Sequence, residues 1–441
     1  MSELPYGWAE ASLSELVSVT RGITFAKAQR RDAPEEGFLP CLRTSNVQSE
    51  LTTDRMAYVP VSCVKRADQF VAPGDLLISM SNSSELVGKV ALATDVHSGF
   101  SFGAFLAALR SSAFEPKALW HLIKSSRVQQ ELRETASQTT NIANISATGM
   151  AEIRLPLPPL AEQRRIVAKL EALTARTACS RADLDRIPAL GARYKQAVLA
   201  KIFGELDRHP ERLVDLVDPA RGIPYGIVQT GVAMPSGVPT VRCGDVRQFS
   251  VEKEGLKLVA QDIADAYPRT LLRGGEVLLA IRGSVGNSAV VGPEFAGCNI
   301  SREVAMIPVG DRLRPQFAMY FLGSPEAQAY LKRHVKGVAQ TGINLEDVRS
   351  LTLPVPELHV QDAVVEKIDR ALAEIDRLTA EAAAARRLID RLDQAILAKA
   401  FRGELVPQDP ADEPASVLLE RIRAERAAAP KPSRGRRKAA A

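Results

Sequence analysis

Residues 155–170 read LPLPPLAEQRRIVAKL and residues 353–368 read LPVPELHVQDAVVEKI. At a constant offset of 198, Leu155, Pro156, Pro158, Leu160, Gln163, Val167 and Lys169 fall on Leu353, Pro354, Pro356, Leu358, Gln361, Val365 and Lys367. The register continues without a gap through Leu190/Leu388, Gln196/Gln394, Leu199/Leu397 and Phe203/Phe401. The copies then close as FGEL (203–206) and FRGEL (401–405). Self-similarity at a fixed period means that one structural plan is built twice. Upstream segments correspond more loosely: SLSELVSVTRGI (12–23) with RLVDLVDPARGI (212–223), APGDLLISMSNSSELVGKVAL (72–92) with RGGEVLLAIRGSVGNSAVV (273–291), and QTTNIANIS (138–146) with QTGINLED (340–347). The plan therefore alternates. A globular domain over 1–154 precedes a helical region over 155–206; a second globular domain over 207–352 precedes a second helical region over 353–405; a charged, flexible tail covers 406–441.

Each globular stretch, at ~150 residues, is long enough to bury a core of its own. Within them GDLLISM and GEVLLAI, bounded by Gly, Pro, Asn and Ser, carry the marks of strands joined by turns. Residues 114–135 and 315–335 carry helical spacing. The expected fold class is mixed α/β: two globular α/β domains separated by two long helices that pair as an antiparallel coiled coil, with an internal pseudo-two-fold repeat.

The helical phrase supports that pairing. In the second copy Val364, Ile368, Ala371, Ile375, Leu378, Ala382, Ala385, Ile389, Leu392 and Ile396 recur at steps of four and three, which is a heptad seam. The first copy keeps the phase with Ile166, Leu170, Leu173, Thr177, Ser180, Leu184, Ile187, Gly191, Tyr194 and Val198. Small residues near both midpoints (Thr177 and Ser180, Ala382 and Ala385) predict close approach there. Pro188 predicts a kink, or a cost of about 3 kcal/mol, in the first helix. About 40 helical residues make a rod of roughly 60 Å, against about 34–36 Å for one turn of B-DNA. Such a rod can hold two domains over separate half-sites; an ordinary packing or dimerisation seam is the other reading of the same pattern.

Composition narrows the class without settling the partner. The formal net charge is +5 and the aromatic content 5%, which permits nucleic-acid binding but speaks against a stacking platform for single strands. No apolar run is long enough for a membrane span, and the start lacks the pattern of a secretory signal. Five cysteines (41, 63, 179, 243 and 298) form no CxxC pair. They are expected to be reduced thiols in a cytoplasmic protein, with neither a disulfide frame nor a zinc site.

Catalytic patterns are missing. A glycine-rich cofactor loop and an Asn/Asp-Pro-Pro-aromatic motif, as adenine methylation requires, do not occur; Asp218-Pro219 and Asp409-Pro410 are each followed by alanine. No phosphate-binding loop of the GxxxxGK[ST] type occurs either. Glu115-Pro116-Lys117 with Asp95 upstream imitates a nuclease pattern but lacks its flanking strands. The five histidines never pair at metal-ligand spacing. The chain is therefore expected to be a binder with no catalytic residue and no metal.

The polar loops suggest what is bound. The first half offers Arg43, Thr44, Ser45 and Asn46; Ser81, Asn82 and Ser83; Gln138, Thr139, Thr140 and Asn141. The second offers Arg242, Arg282, Ser284, Asn287, Arg302, Gln340, Thr341 and Asn344. Arginine pairs bidentately with guanine, and Asn or Gln with adenine, in the major groove. For any single one of these residues, solvation or turn capping stays open as the alternative.

PLPPLAEQRRIVAKLEAL, the Tyr194–Leu199 run and the closing FGEL and FRGEL together resemble the conserved regions of type I restriction–modification specificity subunits. The resemblance covers the whole chain, although the second copy has VPELHVQ in place of the usual PPLxEQ. It implies two target-recognition domains that read a bipartite, asymmetric duplex sequence with an unread spacer. It also implies docking to two methyltransferase (modification) subunits and two restriction (translocase and nuclease) subunits. S-adenosylmethionine, ATP and Mg belong to those partners, so no cofactor is expected on this chain and the chain itself is no enzyme. The rival is a coiled-coil scaffold with incidental DNA binding. The tail, with a short amphipathic patch (Val417 to Ile422) and a final cluster of Lys431, Arg434, Arg436, Arg437 and Lys438, is expected to be disordered and weakly drawn to DNA.

Overall fold

In the computed structural model the described residues are 4–138 (Gln138 by its backbone only), 142–206, 209–336 and 342–428. They divide into two units: unit 1 draws on 4–182 and 386–428, unit 2 on 183–385. Each unit takes part of both long helical regions.

In unit 1, β1 (Ala9–Ser12), followed by the single helical turn α1 (Leu13–Leu16), pairs antiparallel with β12 (Arg154–Leu157) and closes the globular part on itself. A four-stranded antiparallel sheet has the order β2 (Ser18–Arg21), β9 (Leu106–Arg110), β5 (Leu76–Ser79), β7 (Val90–Leu92). A second sheet sets β3 (Phe38–Leu42) between β4 (Ala57–Pro60) and the parallel β8 (Ser101–Phe102). A third joins β6 (Ser81–Asn82), β11 (Ala143–Ile145) and β10 (Ala136–Gln138). β5 is buried at every position, so its sequence is a continuous apolar run rather than an alternation. Helices α2 (Pro116–Lys124) and α3 (Ser126–Glu134), and the short α4 (Ala147–Glu152), cover these sheets. The Glu115 carboxylate caps α2 by accepting from the N–H groups of Lys117 (2.9 Å) and Ala118 (3.1 Å), with Pro116 at the first helical position. The nuclease-like Glu-Pro-Lys string is thus a helix start.

Unit 2 repeats the plan. β13 (Pro210–Arg212) pairs with β22 (Thr352–Pro354); β14 (Val238–Val241) lies between β17 (Lys257–Val259) and the parallel β20 (Asn299–Ile300). A small hairpin joins β15 (Val246–Arg247) to β16 (Ser250–Val251), and β18 (Val277–Ala280) lies between β19 (Ser288–Val290) and β21 (Val304–Ile307). A short helix, α6 (Gln261–Asp265), precedes this sheet; α7 (Pro315–Leu322), α8 (Pro325–His334) and α9 (Leu345–Arg349) stand where unit 1 has α2, α3 and α4.

The duplicated phrase is explained by its glutamine. In α5 (Leu160–Gly204) Gln163 is fully buried: its Oε1 accepts from Glu115 N (2.8 Å) and its Nε2 donates to the carbonyls of Ala113 and Pro158 (3.0 Å each). In α10 (Leu358–Ala400) Gln361 does the same, accepting from Arg314 N (2.8 Å) and donating to the carbonyls of Arg312 (2.9 Å) and Pro356 (2.8 Å). Each glutamine latches the start of a long helix to the cap of the helix beside it.

The long helices pack against each other inside each unit. In unit 2 Lys195 pairs with Asp376, and a Cβ on Gly191 would lie 3.0 Å from Thr379 and 3.3 Å from Ile375, so α5 and α10 run antiparallel. In unit 1 Arg181 pairs with Asp393, while Ile166 and Leu170 share a core with Leu397 and Phe401. Close approach in unit 2 therefore comes at Gly191. Within unit 1 Thr177 is half-buried and Ser180 exposed. α5 continues through Pro188, so the proline does not end the helix.

The expected seam needs correction. Ile166, Leu170, Val364, Ile368 and Ile375 are buried, and Leu173, Leu184, Val198, Ile389 and Ile396 are half-buried, but Tyr194, Leu378 and Leu392 are exposed. Their places are taken by neighbours: Lys195, Thr379 and Asp393, each at least half-buried and each facing the other helix. One residue turns a helix by ~100°, and the polar partners across the seam decide which neighbour faces in.

The flexible tail is also corrected. α11 (Ala415–Ala428) buries Ala415, Leu419 and Ile422, at steps of four and three, in the core of unit 1. Arg423 pairs with Glu15, and Gln408 donates to the buried Glu162, which also accepts from the Trp8 indole (2.9 Å). The short amphipathic patch read in the sequence is thus part of one apolar face of a docked helix. The basic cluster from Lys431 onward lies outside the described residues.

Candidate nucleic-acid interface

The recognition loops predicted in unit 1 converge past the end of β5. Met80 N donates to Phe105 O and Ile145 N to Met80 O, both at 2.9 Å. Ser81 then lies opposite Asn144, and Asn82 opposite Ala143, which also faces Gln138. Thr139, Thr140 and Asn141 lie outside the described residues. Ser81, Asn82 and Ser83 are half-buried, and Asn82 Oδ1 accepts from Ser83 N (2.9 Å).

Arg43 and Asn46 do not belong to this surface. Asn46 is 1% exposed; its Oδ1 accepts from Arg43 N and its Nδ2 donates to the carbonyls of Thr52 and Asp54, all at 3.0 Å. Arg43 donates to Arg55 O (2.9 Å). Both residues hold a loop together, leaving Ser45 exposed and Thr44 half-buried. A cleft of about 860 Å³ in unit 1, lined by Gln48, Lys89, Lys124, Gln130, Arg133 and Gln394, was not expected from the sequence. Lys124 Nζ lies 4.1 Å from the centre of the Trp120 ring, and burial lowers its pKa.

Unit 2 builds the same junction. Ile281 N donates to Glu303 O and Ile343 N to Ile281 O, both at 2.9 Å, and Arg282 bridges to Gly342. Arg282, Ser284, Arg302 and Asn344 are exposed; Gln340 and Thr341 lie outside the described residues. Asn287 is half-buried and donates to Val246 O (3.1 Å). Arg242 is exposed but ion-paired within its own turn, with Nε and Nη2 each 3.0 Å from the Asp245 carboxylate, which raises its pKa. Cys243 donates to Glu303 (3.1 Å), and burial with that carboxylate pushes its thiol up to about 11, so it stays protonated.

Both junctions present donors and acceptors on ordered turns. Among the described residues no group of three or more His, Cys, Asp or Glu could hold a metal ion, and no helix is long and apolar enough to cross a membrane.

The doubled scaffold with a polar turn at the same place in each copy defines a class, and comparison with known proteins identifies it. Residues 5–189 and 234–384 match the type I restriction modification DNA specificity domain. The chain belongs to this family. It is 30% identical to the type I restriction enzyme EcoKI specificity subunit of Escherichia coli (strain K12), over 97% of both chains. It is 28% identical to the StySPI specificity subunit of Salmonella potsdam, over 99% of both. In fold it resembles a chain from a solved type I R-M system (TM-score 0.70, 23% identity, 92% of this chain and 100% of that one). It also resembles the HsdS subunit of Thermoanaerobacter tengcongensis (TM-score 0.51, 24% identity, 91% and 98%).

Proposed function

We propose that the chain is the DNA-reading subunit of a type I restriction–modification complex, with each unit reading one half of a split duplex target. The observation that carries this is the pair of equivalent junctions, Met80–Ser83 with Phe105 and Ile281–Ser284 with Glu303, on one duplicated fold. Ser45, Ser81, Asn82 and Ser83 in unit 1 and Arg282, Ser284, Arg302 and Asn344 in unit 2 are the proposed contacts. Arg43, Asn46 and Arg242 shape their loops.

The long helices act as an antiparallel coiled coil that sets the unread spacer and docks the partners. Leu190 and Tyr194 are 55% and 61% exposed, and their repeat equivalents Leu388 and Leu392 are 60% and 49% exposed. The same apolar patch, left open in both copies, suits two identical methyltransferase subunits, through which two restriction subunits join. Methylation and cleavage, with S-adenosylmethionine, ATP and Mg, belong to those partners, and this chain contributes no catalytic residue. The test is methylome sequencing of the host with and without this chain. Adenine methylation at one split motif should vanish on deletion; an unchanged set of methylated motifs would sink the proposal.

A further inference from the structure

We propose that Arg282 and Arg302 form a guanine-reading pair, so that the half of the target read by unit 2 contains guanine recognised at this turn. The inference rests on the DNA-reading function proposed above. The antiparallel register of β18 and β21 pairs Leu279 with Ala305 and Ala280 with Val304. The bond from Ile281 N to Glu303 O (2.9 Å) carries that register one step further. Arg282 follows Ile281, and Arg302 precedes Glu303 in the turn closed by the bond from Val304 N to Ser301 O (3.0 Å), so the two arginines flank this bond.

Among the described residues neither arginine forms an ion pair, a state shared by Arg269 and Arg273 of the same unit, whereas Arg221 and Arg242 are paired. The neighbouring Glu303 carboxylate accepts from the Cys243 thiol. Position is fixed from a third side by the bridge from Arg282 to Gly342, where a Cβ would lie 2.9 Å from Arg282 Cγ and 3.1 Å from Ile281 O. A glycine is what lets this segment close on the turn. Two exposed, unneutralised guanidinium groups are thus held on ordered backbone before any ligand arrives, which reduces the ordering cost of binding.

Guanine offers O6 and N7 as adjacent acceptors in the major groove, and the guanidinium fork matches them bidentately. Unit 1 cannot make this contact at the same place. Its β5–β9 register pairs Ser79 with Leu106, Met80 N donates to Phe105 O (2.9 Å), and the residues flanking that bond are Ser81 and Ala104. The two halves of the target are therefore read by different chemistry at one structural position.

The test uses the assembled modification complex carrying Arg282→Gln, Arg302→Gln, the double change, or Arg302→Lys. Methylome sequencing and competition binding give the motif and affinity of each. Guanine in one half of the motif should become degenerate, its preference falling roughly 10- to 100-fold, with the other half unchanged. Arg302→Lys should fail to restore it, since an ammonium group lacks the fork. Because both side chains are exposed, the thermal transition should not move. An unchanged motif with uniformly weaker binding, and a salt slope lower by about 1 per arginine, would mean phosphate contacts and would overturn the pair as guanine readers. A wild-type complex whose methylation does not depend on this chain would overturn the parent proposal as well.

Discussion

Unit 1 and unit 2 share a plan in which β9-β5-β7 and β4-β3-β8 of one correspond to β21-β18-β19 and β17-β14-β20 of the other, but they do not preserve all of its interactions equally. Bonds from side chain to main chain are duplicated. Gln163 and Gln361 make matching latches, and Gln129 and Gln328 each donate to two carbonyls at equivalent places, Gly88 and Ile123 in one unit, Gly286 and Leu322 in the other. Bonds between side chains have drifted. Asp75 and Glu276 begin equivalent strands, yet Asp75 pairs with Arg110 from β9, whereas Glu276 pairs with Arg221 from the segment before β14. In the paired helices α2 and α7, His121 stands where unit 2 has Tyr320, whose hydroxyl donates to Asp369. A carbonyl is present whatever residue carries it; a side-chain partner must be inherited together with its mate.

That contrast can be tested unit by unit, because both tryptophans, Trp8 and Trp120, lie in unit 1 and report on it alone. Truncation after Leu405 should have the largest effect. Losing the buried Leu419 and Ile422 should cost unit 1 on the order of 5 kcal/mol and leave unit 2 unchanged. Denaturant titration followed by tryptophan fluorescence, with hydrogen exchange for unit 2, reads both. Next, Arg221→Met should cost unit 2 about 3–5 kcal/mol by stranding a buried carboxylate. Arg110→Met should cost unit 1 less, since Arg110 is more exposed; equal losses would break the distinction. Gln163→Leu and Gln361→Leu should each cost about 2–3 kcal/mol by orphaning three main-chain groups. Unequal losses would show that the latches are not equivalent.

Acid should separate the units by the smallest margin. Burial holds His121 down at about 4, below its ordinary value of 6.5. The fold thus favours the neutral ring, and the unfolded chain binds the extra proton. The stability tied to His121 is present above pH 6.5 and is lost as pH falls toward 4, on the order of 2 kcal/mol. Tyr320, raised by burial and by Asp369, has no such transition in that range. His121→Phe should flatten the acid limb of unit 1 unfolding; an unaltered limb would remove His121 as its source.

Duplication, mixed α/β content and the helix pair were legible in the sequence because they rest on periodicity and repeated letters. Facing was less so. Tyr194, Leu378 and Leu392 match an apolar seam by composition, yet Lys195, Thr379 and Asp393 face inward because each meets a group on the other helix. The proposed site divides in the same way. Ser81, Asn82, Arg282 and Arg302 could be picked out by residue type, but Arg43, Asn46 and Arg242 also look like readers until their loop-internal bonds are known. Gln48, Lys89, Lys124 and Arg133 come from separate segments, and no local spacing encodes their meeting.

The glutamine latch has one more consequence. Gln163 grips the carbonyls of Ala113 and Pro158 and the N–H of Glu115; Gln361 grips the same three kinds of group. A joint that holds only main chain asks for a backbone path and nothing of the side chains along it. A globular domain of foreign sequence that ends on the same path could be grafted between the two helices and still be fastened.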